Sequence, residues 1–400
     1  MAIEATISLR GISPLALHRT RAGRQFTETL DYVSGSTLRG ALADAYLAQH
    51  NADDPDFKDL FISGKVSYPD LWPTLEGTNT TLLPLSARAC KRYGFDHLSS
   101  VSDGLLARAY QSTGSKMSCQ AVIATDKNVK EKCNADLDRA RGYLSELASK
   151  TPLRLVHRLR MNVAMERAIG SQASGFLFSH QTVQTHTKKE KSDNKKAPLL
   201  FTGTVRVESK ELYEALKTFA PKDTPLGIGA SRTRGLGEVE IAGWEECRMM
   251  TPNLSERWKE FNKKATAVGA PKGMKVFSIT LMSHLILRDE LLLPKLEDEE
   301  KELDSSHFRL RSNLKCTACF TNAVVVAGWN AALGMPKPDS VALCRGSVWL
   351  FEAEEQCEND ILKQLQKLEE EGLGERRVEG FGRMLACAPF HYQHNEVSHE

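Results

Sequence analysis

Two stretches of this chain share one pattern of glycines. Residues 227–237 read GIGASRTRGLG, and residues 372–382 read GLGERRVEGFG. Both fit G-x-G-x5-G-x-G, with Gly227, Gly229, Gly235 and Gly237 in the first and Gly372, Gly374, Gly380 and Gly382 in the second. Arg232 and Arg377 share one offset within the pattern. Glycine makes up only 27 of 400 residues, so a chance second match is rare. Similarity at a fixed offset marks an internal repeat, and it constrains the chain to fold as two related halves. Glycine allows positive φ and a close backbone approach, and successive bare amides can cup an anion. Arg232, Arg234, Arg376 and Arg377 lie inside the loops and Arg383 just beyond. Their forked charges suit phosphate. Neither loop carries G-x-G-x-x-G in register, and no G-x-x-x-x-G-K-[ST] occurs. A long polyanion is therefore a better ligand than ATP or NAD.

The surroundings of the loops repeat as well: strand, helix, glycine loop, strand. Ile3, Ala5, Ile7 and Leu9 alternate as in a half-buried strand. In VSGSTLRGALADAYLAQ, Ser36 is the expected N-cap, and Leu38, Ala41, Leu42, Ala45 and Tyr46 form one helical face. The turn Ser34, Gly35, Ser36 then lies at a helix N-terminus, where free amides favour an anion, with Arg39 one turn in. Leu159, Met161, Val163 and Met165 alternate in a further strand, and Phe201, Gly203, Val205 and Val207 in another. SKELYEALKTFA reads as a helix before the first loop, and ENDILKQLQKLEEE as a helix before the second. MKVFSITLMS, AVVVAGW, GSVWLFE and RMLACAP read as strands. Residues about 50–150 read as an insertion, 186–197 as an exposed basic loop, and KLEDEEKELDSS as a solvated acidic segment. The expected class is α+β: two ferredoxin-like (RRM-like, split βαβ) modules with insertions. The first spans 1–250, residues 251–272 form a linker, and the second spans 273–395. Such a sheet can offer a flat face to single-stranded RNA.

Net charge is only +2, so any nucleic-acid surface has to be local. No apolar run approaches 18 residues, and MAIEATISLRG lacks the pattern of a signal peptide. Nine scattered cysteines do not resemble a secreted disulfide framework. A reducing cytoplasm, with no membrane and no cofactor, is the expected setting.

Five segments in order carry a family resemblance. YVSGSTLRGALADAYL is similar to the N-terminal signature of the repeat-associated mysterious proteins (RAMPs) of CRISPR systems, and GIGASRTRGLGEVEI to their glycine-rich loop. RMNVAMERAIGSQASGFLFS, GWNAALGMPKPDSVALCRGSVWLFE and GERRVEGFGRM resemble the type III-D subunit that caps the 5′ handle of the guide RNA. Val33 stands where the family usually has Ile-Pro. The resemblance implies a subunit of a type III effector ribonucleoprotein. Such a subunit binds guide RNA (crRNA), meets target RNA indirectly, and docks against backbone RAMP subunits and the large signalling subunit. It also implies a subunit that does not itself cut RNA.

The expected RNA-binding set is Ser34, Gly35, Ser36, Arg39, Gly229, Arg232, Arg234, Gly235, Gly237, Arg376, Arg377, Gly380, Phe381, Gly382 and Arg383. Some of the loop arginines are expected to join the two modules instead. No catalytic residue is expected. The alternative is a guide-processing ribonuclease with His18 as general base. Asp31 is a second catalytic alternative, against a simple turn role. A third reading is a small-anion enzyme with coincidental loops. Phe381, between two glycines, is the best base-stacking candidate, and Trp349 and Phe351 suit a core. No metal site is expected. Cys316 and Cys319 form a lone CxxC, which His307 and Cys344 do not complete at usual spacing. Cys90, His97, Cys119 and Cys133 are a second, loose set. The histidines of HYQHNEVSHE read as a frayed tail.

Overall fold

The structure is a computed structural model. It describes residues 3–19, 26–94, 101–110, 118–119, 122–124, 130–147, 151–166, 168, 171–187, 197–246, 252–296, 305–310, 314–330 and 333–394. His97, most of the basic loop, most of the acidic segment and the last six residues lie outside the described residues.

The first half is built on the strand Ile3–Gly11. It pairs antiparallel with Leu200–Val207 on one side and Glu238–Glu246 on the other. Across the sheet the order is Pro225–Gly227, Glu238–Glu246, Ile3–Gly11, Leu200–Val207, Val66–Ser67. The alternation in the first strand decides what each face does. Ala5, Ile7 and Leu9 are buried in the core, while Thr6, Ser8 and Arg10 line a cleft of about 2780 Å³. The helices Gly35–Leu47 and Lys210–Phe219 cover the core face through Leu38, Leu42, Tyr213 and Leu216. Ser34, two residues before the expected Ser36, caps the first helix: its Oγ accepts from Thr37 N at 3.3 Å.

The second half repeats that order. Its sheet runs Lys315–Phe320, Val348–Glu354, Met274–Leu281, Met384–Ala386. In both halves the first strand in the chain lies between the third and the last, and a strand from the middle of the half forms the far edge. Phe277, Ile279, Trp349 and Phe351 are fully buried there. Each contributes about 1.5–3 kcal/mol on leaving water. The stretch expected as a linker is instead largely a helix, Leu254–Val268, capped by Asn253 and closed by Gly269. Trp258, Phe261 and Ala265 recur along one face and pack into the second core. The mixture of polar residues hid that narrow apolar stripe.

A β-hairpin leaves each half. The longer pairs Leu155–Glu166 with Ser171–Thr187, and the shorter pairs Ala323–Asn330 with Met335–Leu343. Each is tied to the segment after its half's first strand, through Leu15–Val183 and Leu285–Leu343 bridges. Leu159, Met161, Val163 and Met165 do alternate in a strand, but they face solvent rather than a core.

The insertion after residue 80 docks on the second half. Its sheet of Ala87–Cys90, Ser102–Asp103 and Leu137–Arg139 shares a small core with Phe390. Two of the three C-terminal histidines, His391 and His394, are buried rather than in a frayed tail, and His399 lies outside the described residues. His391 is fully buried in the helix Pro389–Gln393, between Asp103 Oδ2 at 3.0 Å and Thr280 Oγ1 at 2.8 Å. Ser86 Oγ donates to the other oxygen of Asp103 at 2.5 Å. Burying Asp103 is tolerable because both of its oxygens are bonded.

Candidate nucleic-acid interface

The two glycine loops are conformational copies. Each contains one 3₁₀ turn, Arg232–Arg234 and Arg377–Glu379, flanked by left-handed residues. Each rests on the segment that follows its half's first strand. Ala230 N donates to Ala16 O at 2.9 Å, and Glu375 N to Ile286 O at 3.1 Å. Gly237 N donates to Pro14 O at 3.0 Å, and Gly382 N to His284 O at 2.9 Å. A Cβ on Gly237 would lie 2.0 Å from Ile228 O, and one on Gly382 1.7 Å from Leu373 O. These glycines serve close packing of backbone on backbone. Of the loop amides, those of Ala230, Gly237, Glu375 and Gly382 are hydrogen-bonded to the chain's own carbonyls, so this part of the cradle is not bare.

The second loop is the joint between the halves. Val378 O accepts from Tyr68 N at 2.9 Å. A Cβ on Gly35 would lie 2.3 Å from Glu379 O, so the Ser34–Ser36 turn and this loop pack against each other. Glu379 receives Lys337 at 2.7 Å, Arg376 at 2.5 Å and Arg39 at 3.6 Å. Burial pushes its carboxyl up, but Lys337 and Arg376 outweigh that and hold it below its ordinary value. Arg39 Nε also donates to Phe61 O at 2.8 Å. Arg383 crosses to the first half, donating to Thr204 O at 2.6 Å and Ser67 O at 3.4 Å. Burial and neighbouring Arg206 push it down to about 10. Phe381, the expected stacking residue, is buried under the Arg376 guanidinium, 4.6 Å from its ring centroid. Arg39, Arg376 and Arg383 thus hold the molecule together. Arg377 stays exposed, donating to Glu371 O at 3.3 Å.

The anion expected at the helix N-terminus is internal. Asp70 Oδ1 accepts from Gly35 N at 2.9 Å. Burial raises this carboxyl to about 6 against the opposing pull of Gly35 N, Arg345 and Arg383. Arg345 is enclosed nearby, its guanidinium 3.6 Å from the centroid of Tyr32.

The first loop faces outward. Arg232 and Arg234 are exposed, Arg232 pairing with Asp44 at 3.0 Å and Arg234 lying over Phe178 of the long hairpin at 5.6 Å. Beside them His180, 5% exposed, is pushed down by burial and by the charges of Arg160 and Arg234. His18 is pushed down by burial and by His180. The Nε2 atoms of both histidines lack a hydrogen-bond partner among the described residues. Asp31 pairs with His157 of the hairpin at 2.9 Å. Arg160, Phe178 and His180 are additions to the expected set. The signal for Arg160 was the HRLR run at 157–160, on a strand whose other residues gave an apolar alternation, whereas Phe178 and His180 reach it from the partner strand through pairing that spacing does not encode.

Cys316 and Cys319 do not gather further metal ligands among the described residues. Of the loose set Cys90, His97, Cys119 and Cys133, the three cysteines come together, and His97 lies outside the described residues. No helix among the described residues is long and apolar enough to cross a membrane.

Comparison with known families places this geometry. The RAMP superfamily model matches residues 9–240, more than half of the chain, and the chain belongs to that superfamily. Residues 237–389 match the model of the CRISPR-associated protein family Cas_Cmr3. Among curated proteins no match is found. Among solved structures, the chain is similar to a chain of the type III-B Cmr-beta complex bound to cognate target RNA and AMPPnP. Identity is 10%, coverage 90% of this chain and 88% of that chain, and TM-score 0.43. It is also similar to a chain of the Csm3–Csm4 subcomplex of the type III-A interference complex, at 11% identity, 87% and 92% coverage and TM-score 0.36.

Proposed function

We propose that the protein is a non-catalytic RNA-binding subunit of a type III, III-D-like CRISPR effector ribonucleoprotein. It binds the 5′ handle of the guide RNA and docks to backbone RAMP subunits and to the large signalling subunit. Its two modules, 1–250 and 273–395, are ferredoxin-like, a reading supported by the strand order shared by both halves. The observation that carries the function is the outward face of the first loop. Arg234, Arg160, His18 and His180 converge there beside the aromatic ring of Phe178, and Arg232 stands exposed in the same loop. Forked cations and an aromatic ring suit a single-stranded phosphate backbone and its bases. Of the residues first singled out, Arg232, Arg234 and Arg377 are the available phosphate contacts. The exposed apolar row Leu159, Met161, Val163, Met165 supports a protein neighbour along the long hairpin.

The neighbouring histidines favour a second reading, a metal-independent ribonuclease. A neutral His18 can accept the 2′-OH proton while Arg234 steadies the phosphorane. Incubating the purified protein with repeat RNA in EDTA separates the two. Binding without cleavage supports the capping subunit. Site-specific cleavage abolished by His18→Ala supports the enzyme.

A further inference from the structure

The insertion holds a cluster that the RNA-binding face does not use. Cys90 ends a strand, Cys119 lies in a short linking segment, and Cys133 precedes the strand Leu137–Arg139. Their Sγ atoms all lie within 4.8 Å of one another, and those of Cys90 and Cys133 are 3.7 Å apart. Backbone bonds build this meeting. Cys119 N donates to Ala135 O at 2.9 Å, Asn134 N to Cys119 O at 3.0 Å, and Lys91 N to Asp136 O at 2.9 Å. After Cys90 the chain turns sharply: Gly94, at φ 62°, donates its amide to Cys90 O at 2.6 Å. The turn aims the amides of Arg92 and Tyr93 at the Cys90 sulfur.

The Cys90–Cys133 separation is far too long for a disulfide, about 2.05 Å. It matches the edge of a metal tetrahedron. With metal–sulfur bonds of about 2.3 Å at tetrahedral angles, two sulfurs lie about 3.8 Å apart. Three thiols can also pack simply as small apolar groups, but apolar packing does not require N–H donors on the sulfur. We propose that Cys90, Cys119 and Cys133 bind one Zn²⁺ as thiolates, with a fourth donor completing the tetrahedron. Binding displaces a proton from each thiol that was protonated. The ion has a structural task. The insertion's strands are two to four residues long and its core is small. Units of that kind depend on a cross-link. The same insertion carries Asp103, which anchors it to His391 of the second half. The metal would therefore hold the insertion in shape where it docks.

The test uses the full chain, purified under reducing conditions without a metal-chelating resin. Metal analysis should find about one zinc per chain. Cys119→Ser and Cys133→Ser should lose it, and Cys316→Ser should keep it. Cobalt exchanged into the wild type should give a thiolate charge-transfer band. If the serine variants do not fold, the wild type is stripped with a chelator: its Tm should fall and return on adding zinc. A wild-type protein that contains no zinc and takes up neither zinc nor cobalt overturns the proposal. A Tm unmoved by complete removal of the metal overturns its structural role.

Discussion

Ser231 and Arg376 hold the same backbone conformation, φ 60° and ψ 31° in one, φ 57° and ψ 31° in the other. They lie 145 residues apart and begin the two glycine loops' 3₁₀ turns. A left-handed serine and a left-handed arginine each carry a strain of about 1–2 kcal/mol. The surrounding packing imposes that strain twice, on equivalent segments of each half. What differs is the destination: one loop closes the joint between the halves, and the other opens to solvent.

That packing ranks the glycines. Gly382→Ala and Gly237→Ala place a methyl against a backbone carbonyl at positive φ, with no flexible side chain to give way. Each should lower stability by more than about 3 kcal/mol. Gly235→Ala meets no atom within 4 Å. It should lose only the left-handed penalty, about 1–2 kcal/mol. Denaturant titration of the three variants checks the order.

Glu379 is the anion on which Lys337, Arg376 and Arg39 meet. Glu379→Gln leaves these cations half-compensated at a buried joint and should cost about 3 kcal/mol at pH 7. Since the carboxyl is held below its ordinary value, its contribution is present above that value and lost as pH falls through the lowered one. Wild type and variant should therefore converge in acid, as measured by Tm against pH.

His18 and His180 are both held below the ordinary imidazole value, so both are neutral at pH 7.5. In the free protein they favour folding above that value, and the gain is lost as pH falls through their lowered values. RNA phosphate favours their charged forms. Affinity for repeat RNA should rise as pH falls from 7.5 to 6, and the rise should shrink in His18→Gln/His180→Gln. Fluorescence anisotropy at constant ionic strength reads it.

Much of this was legible in the chain. The glycine spacing gave the repeat, and the alternation Ala5, Ile7, Leu9 gave the central strand with its faces correctly assigned. The alternation at 159–165 gave a strand but not its exposure, because an apolar period fits a core and a free hairpin equally well. Arg376 and Arg232 both read as loop arginines suited to phosphate. Only the approach of Tyr68 and Gly35 from the other half makes one of them structural. Likewise, the gathering of Cys90, Cys119 and Cys133 depends on strand pairing across a long insertion, which spacing does not encode. Trp258, Phe261 and Ala265 did carry a helical period, diluted by the charged residues between them.

The division of labour between the two loops is the central claim, and the salt dependence of RNA binding tests it most directly. Arg234→Ala should weaken binding to many sequences alike and reduce the slope of log affinity against log salt by about 0.7, one single-strand phosphate contact. Arg376→Ala, at a temperature where it stays folded, should leave the slope unchanged. An unchanged slope for Arg234→Ala, or a reduced one for Arg376→Ala, would contradict the account.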